Sequence, residues 1–190
     1  MEPICNVFSS RSLTLDDFST FNGNLYVNGD LDLTLCSNTI EIFGDVILDG
    51  NLFADKLIIH GNLKCQELCC GNLEVDDNIS ASAITDSCAI TSNNGSIYVS
   101  DTVSAINLSA LEGSITICGN SQIISEILLI KAFDEIDITG DLRCCHEIVA
   151  GNGVRVTGII NFEETDYFSE EYVLLSVYSG GIHSKNILIN

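Results

Sequence analysis

Apolar and polar positions alternate with a period of two along most of the chain, and glycines interrupt the alternation. Residues 25–31 read Leu-Tyr-Val-Asn-Gly-Asp-Leu, and residues 40–46 and 57–63 repeat this arrangement of an apolar-x-apolar run, a glycine, an Asp or Asn and a further apolar residue. Strict alternation is typical of β-strands with one buried face. Glycine, Asn and Asp tolerate positive φ and favour tight turns. The sequence therefore predicts short strands joined by tight corners.

The predicted strands recur at a nearly constant interval. Apolar-x-apolar pairs, which we predict to stack on one another in successive rungs, begin at Leu25, Ile40, Leu57, Leu73 and Cys88, which are 15, 17, 16 and 15 residues apart. This period is too short for a two-helix repeat or a propeller blade, and it fits a coil of three strands of about five residues each. Glycines six residues apart, at 23/29, 44/50 and 113/119, fit successive corners. We predict an all-β fold, a single-stranded parallel β-helix (β-solenoid) with about 15–18 residues per rung.

Two segments fit this pattern less closely. From residue 80 to residue 113, Ser and Thr replace glycine at several corners, although alternation continues through Ile97/Val99 and Ile115/Ile117. Residues 123–133 are mostly apolar and fit both a strand and a helical stripe. Because strand patterns precede and follow this run, we interpret it as a strand.

The pattern divides the chain into three parts. Residues 1–20 lack the repeat and are predicted to form an N-terminal cap, residues 21–160 the solenoid, and residues 161–190, which are acidic and aromatic, a C-terminal cap or interaction segment. A solenoid benefits from caps because its last rung exposes apolar interior and unpaired backbone. The candidate contact residues of the C-terminal segment are its large apolar side chains: Tyr167, Phe168, Tyr172, Leu174 and Tyr178.

The net charge of the chain argues against some classes of binding partner. The chain has 27 acidic and 7 basic residues and a net charge of -20. Such a surface argues against direct contact with nucleic-acid phosphates and against binding to an anionic membrane. The N-terminus lacks the basic start and apolar run of a signal peptide, and no run of about 20 apolar residues is present. We expect a cytoplasmic or otherwise reducing location, or incorporation into a particle. We interpret the nine cysteines as small buried hydrophobes.

Aspartates at the corners are candidate calcium ligands. Calcium-binding solenoids of the repeats-in-toxin kind carry tandem Gly-Gly-x-Gly-x-Asp, and this sequence has no copy of that motif. Turn chemistry explains the aspartates without a metal. The residues concerned are Asp30, Asp45, Asp76, Asp77 and Asp141.

Two cysteine pairs are candidate metal or redox fragments, Cys69-Cys70 and Cys144-Cys145, the second followed by His146. Neighbouring residues on a strand point to opposite faces, and no Cys-x-x-Cys spacing is present. A structural zinc site needs four converging ligands. We therefore predict one buried and one exposed thiol in each pair, and no metal or cofactor.

His60 is the candidate general base of an acyltransferase, because left-handed β-helix acyltransferases of the hexapeptide-repeat family use a histidine in that role. That family repeats an aliphatic residue every six positions over long stretches. In this chain such spacing occurs only in short segments, and no basic cluster is available for coenzyme A phosphates. The sequence predicts no catalytic residue and favours a protein that is not an enzyme.

Residues 21–160 resemble the bactofilins, bacterial cytoskeletal proteins. The resemblance lies in the glycine corners at 27–31, 42–46, 59–63 and 138–142. It implies a short-rung β-helix that polymerises end to end through uncapped ends. The chain departs from that pattern in its cysteine content, its irregular middle and its non-repeat C-terminus, which could block one end.

Three functional hypotheses follow. The first is a non-enzymatic structural or scaffold protein that associates with itself or with other assembly subunits, as a filament or as a rigid component of a shell, including a virus particle. The alternative is an acidic binding module that mimics nucleic acid and occupies the groove of a basic protein. A second alternative is a β-helix acyltransferase.

Overall fold

The protein is a parallel β-solenoid. The computed structural model describes residues 6–14, 19–119, 124–162, 174–184 and 186–189. Within these ranges every regular element is a β-strand, and neighbouring strands pair in parallel. The predicted all-β solenoid is therefore confirmed.

The described strands are short at both ends of the chain, and between Leu52 and Ala150 short strands alternate with strands of eight to ten residues. In chain order they are β1 (Val7–Ser9), β2 (Leu13–Thr14), β3 (Thr20–Asn22), β4 (Leu25–Val27), β5 (Leu31–Asp32), β6 (Ile40–Phe43), β7 (Val46–Leu48), β8 (Leu52–Ile59), β9 (Leu63–Lys64), β10 (Glu67–Val75), β11 (Ile79–Ala81), β12 (Ala83–Ser92), β13 (Ile97–Val99), β14 (Val103–Ala110), β15 (Ile115–Ile117), β16 (Ile124–Ala132), β17 (Glu135–Ile138), β18 (Leu142–Ala150), β19 (Gly153–Val156), β20 (Ile159–Phe162), β21 (Leu174–Val177), β22 (Ile182–His183) and β23 (Asn186–Ile189).

These strands form three faces. Among the described residues, face 1 is a ten-stranded sheet that runs from β1 through β4 and β7 to β22. A second sheet of thirteen described strands carries the other two faces. On face 2, β2 pairs with β5 and β5 with the start of β8, and on face 3, β3 pairs with β6 and β6 with the end of β8.

From β8 to β18 one long strand of each rung serves both face 2 and face 3. In β8 the alternation of buried and exposed residues changes phase at Asp55 and Lys56, which are both exposed. The same change of phase occurs at Ile106 and Asn107 in β14. The predicted coil of three separate strands therefore describes the rung of β1, β2 and β3, that of β4, β5 and β6 and that of β19, β20 and β21, but not the rungs between them. A glycine is not required where the corner is a change of phase within a strand, so the sequence marks this corner only in places, as at Gly71 in β10.

The predicted stacking of apolar pairs is wrong at both ends of the series. Leu25 pairs with Val46 on face 1, whereas Ile40 pairs with Leu57 on face 3. Leu73 stacks on Ile90 and not on Cys88, which is exposed. Each rung carries an apolar-x-apolar pair on every face, so the pattern by itself does not show which pairs belong together.

Inward side chains form continuous apolar columns. The face 3 column consists of aliphatic residues that are at most 1% exposed: Ile40, Leu57, Leu73, Ile90, Leu108, Ile130 and Ile148. Rungs lie about 4.8 Å apart, so each of these side chains contacts the ones above and below it. A single coil cannot bury its own interior, and the stack is stable only because neighbouring rungs cover each other.

The rungs vary in length and extend into both predicted caps. On face 1, equivalent residues from Val7 to Val154 are 16 to 21 residues apart by subtraction, and the step from Val154 to Ile182 is 28. Strands β1 and β2 lie in the predicted N-terminal cap, and β21, β22 and β23 in the predicted C-terminal one, and all five pair in register with solenoid strands. The strand predicted for 123–133 is confirmed as β16.

Glycines bracket the short strands of face 1, as their six-residue spacing predicts. Gly23 and Gly29 flank β4, and Gly29 has a φ of 139°. A Cβ on Gly29 would also lie 2.7 Å from the backbone nitrogen of Ser12 on the neighbouring rung. Residues other than glycine rarely adopt this φ, and here they would also collide with the next rung.

A charge at an inward position should unfold the stack. Ile59 is 0% exposed and lies between Ile42 and Val75 in neighbouring rungs. We expect Ile59→Asp to lose about 3–5 kcal/mol of unfolding free energy, because the carboxylate has no partner in the apolar interior. Urea denaturation followed by circular dichroism measures this loss.

The matched control is Ile47→Asp. Ile47 points outward on face 1, between Tyr26 and Lys64, so the new carboxylate reaches solvent and a lysine. Its free energy of unfolding should change by about 0.5 kcal/mol or less. Equal stability of the two variants would contradict the inward assignment of Ile59.

Candidate functional site

The corner between face 3 and face 1 carries a row of aligned residues. From the rung of β6 onward, one residue of each rung occupies the same place, and from His60 onward its backbone N–H donates to a carbonyl of the preceding rung. We call this row the corner column. It consists of Phe43, His60, Asp76, Asn93, Leu111, Phe133, Gly151 and Tyr178.

The first half of the corner column is a polar cluster centred on His60. Its Nδ1 lies 2.7 Å from Oδ2 of Asp76, and its Nε2 lies 2.8 Å from Oε1 of Glu41. The imidazole also stacks on Phe43, with ring centroids 4.4 Å apart. Asn93 extends the cluster by donating from Nδ2 to Oδ1 of Asp76 at 3.0 Å. The cluster thus links side chains from four rungs.

The two carboxylates stabilise the charged form of His60. Hydrogen bonding to Glu41 is the main reason that the pKa of His60 is raised, and Asp76 contributes in the same direction. The pKa of Asp76 is lowered, first by the amide of Asn93 and then by His60. The imidazolium of His60 forms ion pairs with Glu41 and Asp76 on the neighbouring rungs, and we call this group the His60 clasp.

This geometry does not suit His60 to the role of a general base. Both ring nitrogens already lie within hydrogen-bond distance of carboxylate oxygens. A base needs a free lone pair on one nitrogen, and the raised pKa favours the form that lacks one. The arrangement is that of a structural ion pair.

The second half of the corner column is apolar and exposed. Leu111 is 46% exposed, Phe133 is 66% exposed and Tyr178 is 82% exposed. Gly151 lies between Phe133 and Tyr178, and a Cβ there would collide with the carbonyl oxygen of Phe133. This corner therefore has a permanent notch between two aromatic side chains.

Only one of the predicted contact residues can be described fully. Tyr178 lies in the corner column with an exposed side chain. Leu174 is the first residue of β21, where its backbone pairs with Glu147, and its side chain lies outside the described part. Tyr167, Phe168 and Tyr172 lie outside the described residues. Sequence analysis missed Leu111 and Phe133, although each follows a buried strand end at a corner.

Three of the five candidate aspartates, Asp30, Asp45 and Asp141, accept hydrogen bonds from backbone N–H groups, as turn chemistry predicts. Oδ1 of Asp45 accepts hydrogen bonds from the backbone N–H and the Nδ2 of Asn62, at 2.8 and 3.0 Å. Oδ1 of Asp30 accepts from the N–H of Asn51, and Oδ1 of Asp141 from the N–H of Ile159, both at 2.8 Å. Each of these side chains satisfies a backbone donor of the next rung that would otherwise be unpaired.

Asparagines and serines continue the same ladder. Oδ1 of Asn62 accepts from the N–H of Asn78, and Oδ1 of Asn78 accepts from the N–H of Ser96. The hydroxyl of Ser96 then accepts from the N–H of Ser114. Within the described residues no group of three or more His, Cys, Asp or Glu side chains is arranged to hold a metal ion.

Three of the six cysteines in the described part, Cys36, Cys65 and Cys70, are buried as predicted, whereas Cys88 is exposed. In the Cys69-Cys70 pair the buried thiol is confirmed, but the other thiol is not fully exposed. Cys69 is half-buried and Cys70 is buried. Burial raises the pKa of Cys70, and likewise that of Cys65, to about 12, so neither thiol ionises readily. The side chains of Cys144, Cys145 and His146 lie outside the described part of the chain.

A shallow groove of about 460 Å³ lies on face 1 near the C-terminal end. Its lining includes Glu135, Asp137, Arg155 and His183. Arg155 is already paired with Asp137 through Nε at 3.0 Å. The groove therefore offers paired and acidic groups, without a set of free donors for an anionic ligand.

Comparisons with protein-family models, with curated proteins and with solved structures found no match. None of the described residues form a helix long and apolar enough to cross a bilayer. The functional inference therefore rests on the geometry of this chain.

The His60 clasp should make stability depend on pH. Because the pKa of His60 is raised on folding, the contribution of His60 to the free energy of unfolding is complete below the ordinary pKa of 6.5. This contribution is lost as pH rises through the folded-state pKa. The pKa of Asp76 is lowered on folding, so the contribution of Asp76 to the free energy of unfolding is present above the ordinary pKa of 3.8. This contribution is lost as pH falls through the folded-state pKa of Asp76.

We expect the melting temperature of wild type to exceed that of His60→Gln by on the order of 2–4 °C near pH 5.5. The difference should shrink towards pH 9, where the imidazole is neutral. Differential scanning fluorimetry of both proteins across this range measures it. A difference of the same size at both pH values would contradict the clasp.

Asp45 should stabilise its corner as a hydrogen-bond acceptor and not as a metal ligand. We expect Asp45→Ala to lower the free energy of unfolding by about 1–2 kcal/mol, because the N–H of Asn62 loses its acceptor. Asp45→Asn keeps an oxygen in place and should stay within about 0.5 kcal/mol of wild type.

Urea denaturation with added calcium or with a chelator tests the two roles of Asp45. Neither addition should change the midpoint for wild type. A chelator that lowers the midpoint, or an Asn variant as unstable as the Ala variant, would point to a metal instead.

Proposed function

We propose that this protein is a non-enzymatic structural subunit that associates end to end through its terminal rungs. One observation carries the proposal: regular strands occupy all three faces at both ends of the described solenoid. Strands β1, β2 and β3 form the first turn of the coil, and β21, β22 and β23 form its last turn. In the described part each of these strands pairs on one side only.

At the N-terminal end, the backbone polar groups of Phe8 face outward. The N–H of Val7 donates to the carbonyl of Asn24, and the carbonyl of Ser9 accepts from Asn28, so these two residues face β4. In a parallel pair alternate residues bond to opposite neighbours. The N–H and carbonyl of Phe8 therefore point away from the solenoid, towards the next position in a stack.

At the C-terminal end, Ile182 has the complementary position. The N–H of Val154 donates to the carbonyl of Gly181, on the residue before Ile182. By the same alternation, the backbone groups of Ile182 point away from β19. The side chain of Ile182 is 38% exposed, although Val154, its partner in register, is 1% exposed.

A second copy can extend the stack without a change of register. Val7 and Ile182 belong to the same face 1 column, and their strands run in the same direction. The end formed by Phe8 of one copy then meets the end formed by Ile182 of another. Contacts between two different surfaces do not close on themselves unless the rotation forms a ring, so they generate a filament.

Charge opposes this association at low salt. Each copy carries a net charge of -20. The Debye screening length falls from roughly 30 Å at 0.01 M to 3 Å at 1 M salt, so repulsion between copies weakens as salt rises.

The resemblance of the glycine corners to those of bactofilins supports the filament. A rigid component of a larger shell, as in a virus particle, is a second form of assembly that uses the same rod. Thiols that are free in the described part fit a reducing compartment.

Assembly should increase with salt and should require the edge N–H of Phe8. We expect wild type to form rods of constant width whose length grows between about 0.01 and 1 M salt, with reductant present. Phe8→Pro removes the outward donor while leaving the bonds of Val7 and Ser9, and it should reduce the rods to single subunits. Negative-stain microscopy and light scattering measure both effects.

Phe8→Ala is the matched control. It keeps the N–H but removes the ring that stacks on Tyr26 at 4.8 Å. Rods of normal length in the Ala variant, together with single subunits in the Pro variant, support association through the strand edge. A wild type that stays monomeric at every salt concentration, or a Pro variant that assembles normally, would contradict the proposal.

A further inference from the structure

Exposed apolar side chains occupy neighbouring rungs on the side of the rod. Leu111, Phe133 and Tyr178 lie in the corner column, with Gly151 between the last two. We call these three residues the apolar stripe. Single exposed apolar residues are ordinary, whereas several of them aligned in one row are typical of an interaction surface.

The fold itself does not require apolar residues in this row. Three preceding rungs place His60, Asp76 and Asn93 in the same positions, where polar side chains form hydrogen bonds along the column. The corner therefore accepts polar groups, and the stripe exposes apolar area without a packing reason. Its location on the side of the rod leaves it accessible when the ends associate.

Carboxylates follow the apolar stripe on the side of face 1. Glu112 and Asp134 directly follow Leu111 and Phe133 in the chain, and Glu135 follows Asp134. Lys131, on face 3, lies two residues before Phe133. A surface that combines apolar groups with a negative border is complementary to a segment that carries apolar groups flanked by Lys and Arg.

The spacing of the stripe matches a helix that lies along the solenoid axis. From Leu111 to Tyr178 there are three rung steps, which span about 14 Å at about 4.8 Å per step. An α-helix covers this length with about ten residues, and its turns are about 5.4 Å apart, close to the rung spacing. The notch at Gly151 leaves room for one large side chain between Phe133 and Tyr178.

From this match we propose that the apolar stripe docks a short, basic, amphipathic helix of another protein. The apolar face of that helix packs on Leu111 and Phe133 and inserts one side chain into the notch beside Tyr178. Its Lys and Arg residues face Glu112 and Asp134. This interaction is independent of end-to-end assembly.

A designed peptide tests the proposal. The probe is a labelled helical peptide of about twelve residues with Leu and Phe at i, i+3, i+4 and i+7 and with Lys and Ala elsewhere. One control peptide replaces each Lys by Glu, and another replaces each apolar residue by Ser. Fluorescence anisotropy should detect binding of the first peptide only.

Variants of the protein locate the contact. We expect the double variant L111S/F133S to weaken binding at least tenfold and Glu112→Lys to weaken it several-fold. Tyr98→Ser should leave the affinity unchanged, because Tyr98 is also exposed, at 45%, but lies on face 1. The altered side chains reach solvent, so all variants should melt at the wild-type temperature, and a variant that unfolds is replaced by Phe133→Lys.

Three results would overturn the proposal. The first is a wild-type protein that binds none of the peptides, and the second is equal binding of the Lys peptides with and without apolar residues, which indicates charge alone. The third is a loss of self-association in L111S/F133S without peptide, which indicates that a second copy occupies the stripe. Absence of rods in microscopy bears on end-to-end assembly and leaves the peptide result unaffected.

Discussion

The parallel register between successive rungs is the constraint on which the rest of the structure depends. Backbone hydrogen bonds fix Ile59 between Ile42 and Val75, and the same ladder aligns every other inward position. The apolar columns form only in this register, because a shift of one residue would turn each column outward. Stability is therefore a property of the stack and not of any one coil, as expected for a solenoid.

The same register organises the surface. Side chains at a corner repeat at the rung spacing, so one polar residue can serve the backbone of the next rung, as Asp45 does for Asn62. Where the repeated residues are charged, they form the His60 clasp, and where they are apolar, they form an exposed stripe. A solenoid thus converts short sequence features into linear surfaces on its side. In the described part its ends keep regular strand edges, on which the proposed end-to-end association rests.

Local features of the fold were predictable from the sequence, and long-range ones were not. Alternation predicted the strands, and glycines predicted the corners that flank β4 and β7. Alignment of the columns failed because rung length varies, so Leu25 was matched to Ile40 instead of Val46. The partners of His60 are 16 and 19 residues away, and no motif connects them. The unequal spacing of Leu111, Phe133 and Tyr178 hides their alignment in the same way.

Photo-crosslinking from the N-terminal edge tests the central claim of end-to-end assembly most directly. A benzoylphenylalanine at position 8 replaces one aromatic ring with another and keeps the outward N–H. At high salt, mass spectrometry should find it joined to the segment around Ile182 and His183 of a different copy. Crosslinks to the N-terminal rung of a second copy, or only within one chain, would contradict head-to-tail stacking of rungs.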